Sequence, residues 1–469
     1  MHRQNIMFEY KEYGFVLNEH ILNNYFVIRS QRNRNVNYTI ANGKIIENSY
    51  ICSSGACVRV TNSKGTYGFA ATHKIDKAAI ENAYIQANKN ATIINKYTRD
   101  RNALNLIDSV ECREKEKSIN TVNLDEIKEY MFIIDAYIKK SQKYLNDYFI
   151  AFHNEIIEKK IKASYSNMIV SNLERSYLEL VFQMESAEGK KVCLNKKISF
   201  KNSFDNSDSA YYIIKNKIDE TLLGLNKKQN CIEVLEGEKD VVLSPEVTGV
   251  FIHEAIGHLV EGDMLANKSV FYNKFGEALA DTNLTIIDYA NEYCGEKTNI
   301  PVYYDDEAIK AEDVEIIKNG KLVGGLHNLL TANEYGIKPK GNSRGFTYMD
   351  EPLIRMRNTL MLPGKDKLNE MINLVDNGYY LVTSKGGKAD KNGKFYIGIS
   401  EAYEVVKGKI GRAVEDFYIT GNSLQVLKNI DMIGDTIEWN SAGYCVKKQK
   451  IPVSMGGPSI KCRVMVSKR

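Results

Sequence analysis

The stretch Val250–Asp263 reads VFIHEAIGHLVEGD, and it decides how the second half of the chain is understood. Just before it, Ser244 followed by Pro245 is a helix start: a hydroxyl that caps free N–H groups, then a proline where no donor is needed. Val247, Phe251, Ala255 and Leu259 recur at helical spacing, so a helix is predicted from Pro245 to Val260. Two of the seven histidines, His253 and His258, lie on it, with Glu254 directly after the first. Zinc-peptidase helices commonly carry their histidines four apart, on one face. Here they are five apart. In a regular α-helix that spacing turns them roughly 140° away from each other, and Glu254 and His258 share a face instead. Two readings follow. Glu254 and His258 are a structural i,i+4 pair worth roughly a few tenths of a kcal/mol, or one π-type turn returns both imidazoles to one side. Gly257, inside the interval, tolerates such a distortion.

A catalytic zinc needs three protein ligands and an open position. Glu261 and Asp263 are the nearby candidates for the third. Cys445, in NSAGYCVKKQKIPVSMGGPS, is a distant one, against the plain alternative of a strand cysteine.

Length and composition bound the rest. The 469 residues exceed one ordinary core, so two domains are expected, with 1–230 an α+β domain and 231–469 the domain carrying the histidine helix. With 43% hydrophobic and 26% charged residues the composition is that of a globular protein. A net charge of +4 with mixed signs argues against nucleic acid as a partner. No apolar run approaches the ~20 residues of a membrane helix, and no signal-peptide core is present, so a cytoplasmic location is expected. The eight cysteines form no CxxC pair and are expected to be reduced, mostly as small buried hydrophobes.

In the first half, Asn42-Gly43 and Asn62–Gly65 mark hairpin turns between strands. Asp76 caps a predicted helix from Lys77 to Lys96, a second fits Leu124 to Lys143, strands run from Tyr148 to Phe200, and a third helix covers Ser209 to Leu225. In the second half, turn signals at residues 318–321, 391–394, 407–409 and 420–423 predict a mostly antiparallel β domain with one or two helices. The fold class is α+β.

Six segments in order resemble the TldD/PmbA family, also labelled modulator of DNA gyrase. They are GACVRVTNSKGTYGFAAT, HEAIGHLVEGD, VYYDDEAIKAEDVEIIKNGKLVGGL, EPLIRMRNTLMLPG, ISEAYEVVKGKIGRAVEDFYITGNSLQVLKNIDMIG and GYCVKKQKIPVSMGGPS. The family includes metalloproteases acting on peptides, in a branch with HExxxH and a metal-free partner branch. The resemblance implies zinc, one per chain, on His253, His258 and Cys445, with Glu254 as catalytic base. It also implies a dimer, either a heterodimer with a metal-free member or a homodimer. The chain departs from the family pattern at Ala308, Val446 and Lys448, where glycines are usual.

Several residues carry separate expectations. Asp305 and Asp306, with Glu307, are candidates to orient a ligand histidine, against a solvated turn. Arg355 and Arg357 alternate on a strand and are candidates to bind a peptide carboxylate. His327 is not expected to be a ligand. Gly386-Gly387 is a candidate for close peptide approach. Gly393–Tyr403, with Gly398 and Ser400, is the candidate open strand edge for an extended peptide. A thiolate ligand predicts a weak Lewis acid and a modest peptidase. The expected activity is zinc-dependent hydrolysis of small or unfolded peptides, in maturation of a ribosomally made product. The alternatives are a peptide-presenting subunit without activity and a structural-zinc scaffold.

Overall fold

Asn42 and Gly43 both take positive φ, 48° and 81°, the pattern of a two-residue hairpin turn. They join β1 (Tyr25–Ala41) to β2 (Lys44–Thr61), and β3 (Tyr67–Thr72) returns along β2. The computed structural model describes residues 25–62, 65–97, 123–141, 145, 147–186, 188–200 and 204–468. The strands expected before residue 25 therefore lie outside the described residues. Helix α1 (Lys77–Asn95) starts as expected, with the Asp76 carboxylate accepting from Ala79 N at 2.9 Å. Helix α2 (Leu124–Ser141), β4 (Asp147–Ala163), β5 (Ile169–Glu185), β6 (Lys191–Ser199) and α3 (Asp208–Lys228) follow. The six strands form one antiparallel sheet in the order β3-β2-β1-β4-β5-β6, which leaves β6 at an edge. Ile80, Ala83 and Tyr84 of α1 pack on Ile28, Val58 and Val60. Ile134 of α2 and Ile218 of α3 pack with Ile150, Phe152 and Leu180.

The second sheet opens with β7 (Gly237–Leu243) and has eleven strands. Five of them make a closed circuit of pairings: β7, Asn377–Ala389, Lys394–Val406, Phe417–Asn422 and Gln449–Lys468, which pairs back to β7. Most pairings are antiparallel, as expected. Two are parallel, β7 with Asn377–Ala389 and Asn358–Met361 with Gln449–Lys468. After β7 the chain enters α4 (Pro245–Ile252), capped by Ser244, whose hydroxyl accepts from Val247 N and donates to Val382 O. Val247 through Ile252 are all buried, so α4 lies inside the fold, not on its surface.

Three expectations are corrected here. The second half carries more than two helices; Gly262–Ala266, Leu329–Tyr335, Leu368–Asn373 and Ser423–Lys428 are five to seven residues long, too short for a periodic signal. Residues 420–423 are not a turn: the strand runs to Asn422, whose side chain caps the last of these helices. Of the described cysteines only Cys57, Cys445 and Cys462 are buried, because Cys52, Cys193 and Cys294 fall on solvent-facing positions.

Buried polar contacts join the two sheets. Asp306 accepts from Arg29, from Lys159 at 2.7 Å and from Gly345 N. Glu307 pairs with Arg59, and its carbonyl accepts from Tyr165 at 2.7 Å. Arg175 of β5 donates to Glu155 at 2.7 Å and to Gly443 O at 3.2 Å, with its guanidinium 4.3 Å over the Tyr444 ring. This last cluster fixes the strand that carries Cys445. Among the described residues no helix is long and apolar enough to cross a membrane.

Candidate metal centre

The helix expected from Pro245 to Val260 is α-helical only as far as Ile252. Residues His253–Gly257 form a π-turn and His258–Val260 a 3-10 turn. The N–H of His258 donates to the carbonyl of His253, the i→i+5 bond that widens the turn. The two imidazoles then meet, with ring centroids 4.9 Å apart at 79°. Gly257 has ordinary helical angles, φ −54° and ψ −51°. Its role is therefore close packing rather than backbone freedom, since a Cβ there would lie 2.0 Å from Met356 Sδ.

The strand Met432–Lys447 brings Cys445 to the same place. One donor atom from each of His253, His258 and Cys445 lies within 4.8 Å of the others, and Cys445 Sγ is 3.4 Å from His258 Nε2. His253 is 1% exposed, yet both of its ring nitrogens lack a partner. Buried polar atoms are normally satisfied, so an imidazole orphaned beside a second imidazole and a thiol fits a metal ligand. Two nitrogens and one sulfur are the donor set of a zinc site with an open fourth position.

Neighbouring groups set the electrostatics. Burial, then His258 and Arg355, pushes the His253 imidazole well below the usual histidine range. Burial also acts to lower His258, but Glu261 and Cys445 outweigh it and raise it well above that range. Glu261, fully buried, sits 3.0 Å from His258 Nδ1 and is held by Lys447, which also reaches Asp263 at 2.8 Å. The carboxylate thus fixes Nδ1 as the protonated nitrogen and leaves Nε2 toward Cys445. Glu254 is half-buried and raised to about 7, chiefly by burial. It lines a cleft of about 710 Å³ with β6, Lys385, Gly386, Ser400 and Trp439.

Other expected site residues lie elsewhere. Asp305 and Asp306 do not touch the histidines: Asp305 accepts from three backbone N–H groups, and Asp306 locks the two sheets. They are buried and saturated, so they neither orient a ligand histidine nor form a solvated turn. Glu261, a candidate third ligand by sequence, instead contacts the Nδ1 of His258. Arg357 is fully buried on Asp288 at 2.8 Å and on backbone carbonyls, so it does not face a peptide. Arg355 is equally buried and turns to Cys445 Sγ at 3.2 Å. The strand holding Gly393–Tyr403 is paired on both sides and offers no open edge. Ser400 lines the Glu254 cleft, whereas Gly398 lines a neighbouring pocket with Lys385 and Asp416. Gly387 packs against Glu254, where a Cβ would meet Glu254 Cγ at 3.2 Å. His327 bonds Thr331 at 3.1 Å, away from the three donors.

Comparison with known proteins identifies the family. The model of the PmbA/TldA metallopeptidase C-terminal domain matches residues 236–468, and that of domain 1 matches residues 26–91. A zinc metalloprotease TldD homolog from Saccharolobus solfataricus is 31% identical over 423 residues, covering 88% of this chain and 90% of the relative. The chain belongs to the TldD/PmbA family. It is thus a member of a metallopeptidase family. Another TldD/PmbA relative, the metalloprotease MJ0996 of Methanocaldococcus jannaschii, is 29% identical, covering 92% of this chain and 94% of its own. The crystal structure of TldE from Thermococcus kodakarensis shares the fold, with a TM-score of 0.74, 18% identity, and coverage of 94% of this chain and 96% of that one.

Proposed function

We propose that this chain is a zinc-dependent peptidase in which His253, His258 and Cys445 hold the ion and Glu254 is the catalytic base. The observation that carries the reading is the buried His253, whose two ring nitrogens are unpartnered beside His258 and Cys445. When bound, the ion supplies Lewis-acid polarisation of the scissile carbonyl. Glu254, adjoining a ligand and opening onto the cleft, takes a proton from the attacking water on its carboxylate and passes it to the leaving amine. Glu261 keeps His258 in one tautomer throughout.

The proposed substrate is a small or unfolded peptide, with maturation of a ribosomally made product as the setting. The edge strand β6 forms one wall of the cleft, so an extended peptide pairs there by main-chain hydrogen bonds. The proposed assembly is a dimer, with a metal-free family member or with a second copy of this chain.

Glu254→Gln tests the reading. Stoichiometric zinc retained with peptide cleavage abolished is the expected result. Cleavage at the wild-type rate would remove Glu254 from the chemistry.

A further inference from the structure

Arg355 is a fully buried cation whose Nη1 and Nη2 contacts all serve one strand turn, while its Nε has no partner among the described residues. Its Nη2 donates to Lys447 O and to Gln449 O at 2.7 Å, and its Nη1 donates to Cys445 Sγ at 3.2 Å. Arg357, two residues on, has Asp288 as its counter-charge at 2.8 Å. No carboxylate pairs with Arg355 among the described residues; the sulfur stands in that position.

The fork geometry makes the contact directional. Lys447 and Gln449 face each other across the turn at Lys448 that ends the Cys445 strand. With Nη2 anchored to both carbonyls, the planar guanidinium has one remaining orientation, and Nη1 points at Sγ. The same sulfur lies 3.4 Å from His258 Nε2. The sulfur therefore meets both a charged donor and the pair of imidazoles.

We infer that Arg355 is a positioning residue for the metal centre: it fixes Cys445 Sγ and draws charge from the sulfur through an N–H···S hydrogen bond. This rests on the proposed ligand set. The donor groups behind first ligands set their orientation and donor strength. A sulfur sharing its charge with a guanidinium donates less to the ion, which stays a stronger Lewis acid than a bare thiolate would leave it. The contact thus offsets the weakening that a cysteine ligand brings.

The test uses the full-length protein loaded with cobalt(II), whose sulfur-to-metal charge-transfer band reports the electron richness of the thiolate. Arg355→Lys keeps the charge but lacks the fork. The expected result is a band moved to longer wavelength and cobalt affinity about 10- to 100-fold weaker. Arg357→Lys, equally buried but paired with Asp288, is expected to leave the band in place. A band unmoved in folded Arg355→Lys, or moved equally by Arg357→Lys, overturns the inference. Should Arg355→Lys not fold, the crystal structure of the zinc-loaded wild type decides. Nη1 within hydrogen-bonding reach of Sγ supports the inference, and a guanidinium turned away overturns it. Failure of the wild type to show any sulfur-to-cobalt band would instead defeat the ligand set itself.

Discussion

The backbone N–H of His258 donates to the carbonyl of His253, and this i→i+5 bond turns an HExxxH spacing into a two-imidazole site. Five residues of regular α-helix would have sent the rings to different faces. One wider turn brings their centroids to 4.9 Å.

That turn depends on the packing of Gly257. An added methyl there would sit 2.0 Å from Met356 Sδ. Gly257→Ala should therefore lower stability by about 1–3 kcal/mol, as overpacking does, and weaken metal binding as the turn shifts. Met356→Ala in the same chain should recover part of both losses. Unchanged urea midpoint and metal affinity in Gly257→Ala would show that the turn is not held by this contact.

The acid limb of stability should include Asp306. Burial acts to raise this carboxyl, but Arg29 and Lys159 outweigh it and hold it below its ordinary value of 3.8. A depressed carboxyl contributes stability that is fully present above its unfolded value and is lost as pH falls through the folded one. Asp306→Asn should cost about 3–5 kcal/mol at neutral pH by leaving buried cations unpaired. The gap to wild type should narrow below pH 4. A gap that stays constant from pH 7 to pH 3 would contradict the assignment.

Two departures from the family's usual glycines fall at positive φ: Ala308 at 61° and Lys448 at 60°. A side chain there is strained by about 1 kcal/mol or more. Lys448 is exposed, so Lys448→Gly should stabilise by about 0.5 kcal/mol after the entropy of the unfolded chain is counted. Ala308 is fully buried, and its methyl packs with Val27, Ile161 and Tyr165. Ala308→Gly should gain nothing, because the relieved strain is offset by about 0.8 kcal/mol of lost burial. Chemical denaturation of both variants checks the contrast, and equal shifts would refute it.

Substrate shape offers a further check. A peptide that pairs with β6 must have free backbone groups, which a folded domain has already used. One sequence should be cleaved as a free peptide and resisted as a loop in a stable domain. Equal cleavage of both forms would end the strand-pairing account.

Local chemistry was legible in the sequence, and spatial order was not. Ser244-Pro245, Asp76 and Asn42-Gly43 act as the cap and turn rules require, because each depends only on its neighbours. The five-residue histidine spacing left a structural helix pair and a π-turn both open, and the structure has the π-turn. The destination of Arg355 and Arg357 was hidden: strand alternation gives a face but not what covers it. The edge strand was misplaced because sheet order is set by long-range pairing, which put Lys394–Val406 inside and β6 outside. Glu261 was visible three residues after His258. Whether it would bind the ion or the imidazole depended on Lys447, remote in sequence, which holds its other oxygen.

The most direct measurement is zinc K-edge X-ray absorption of the purified full-length protein. The account predicts one zinc per chain with one sulfur at about 2.3 Å and two imidazole nitrogens at about 2.0–2.1 Å. The sulfur shell should vanish in Cys445→Ser. Stoichiometric zinc with no sulfur shell, or a sulfur shell that persists in Cys445→Ser, would contradict the three-ligand centre.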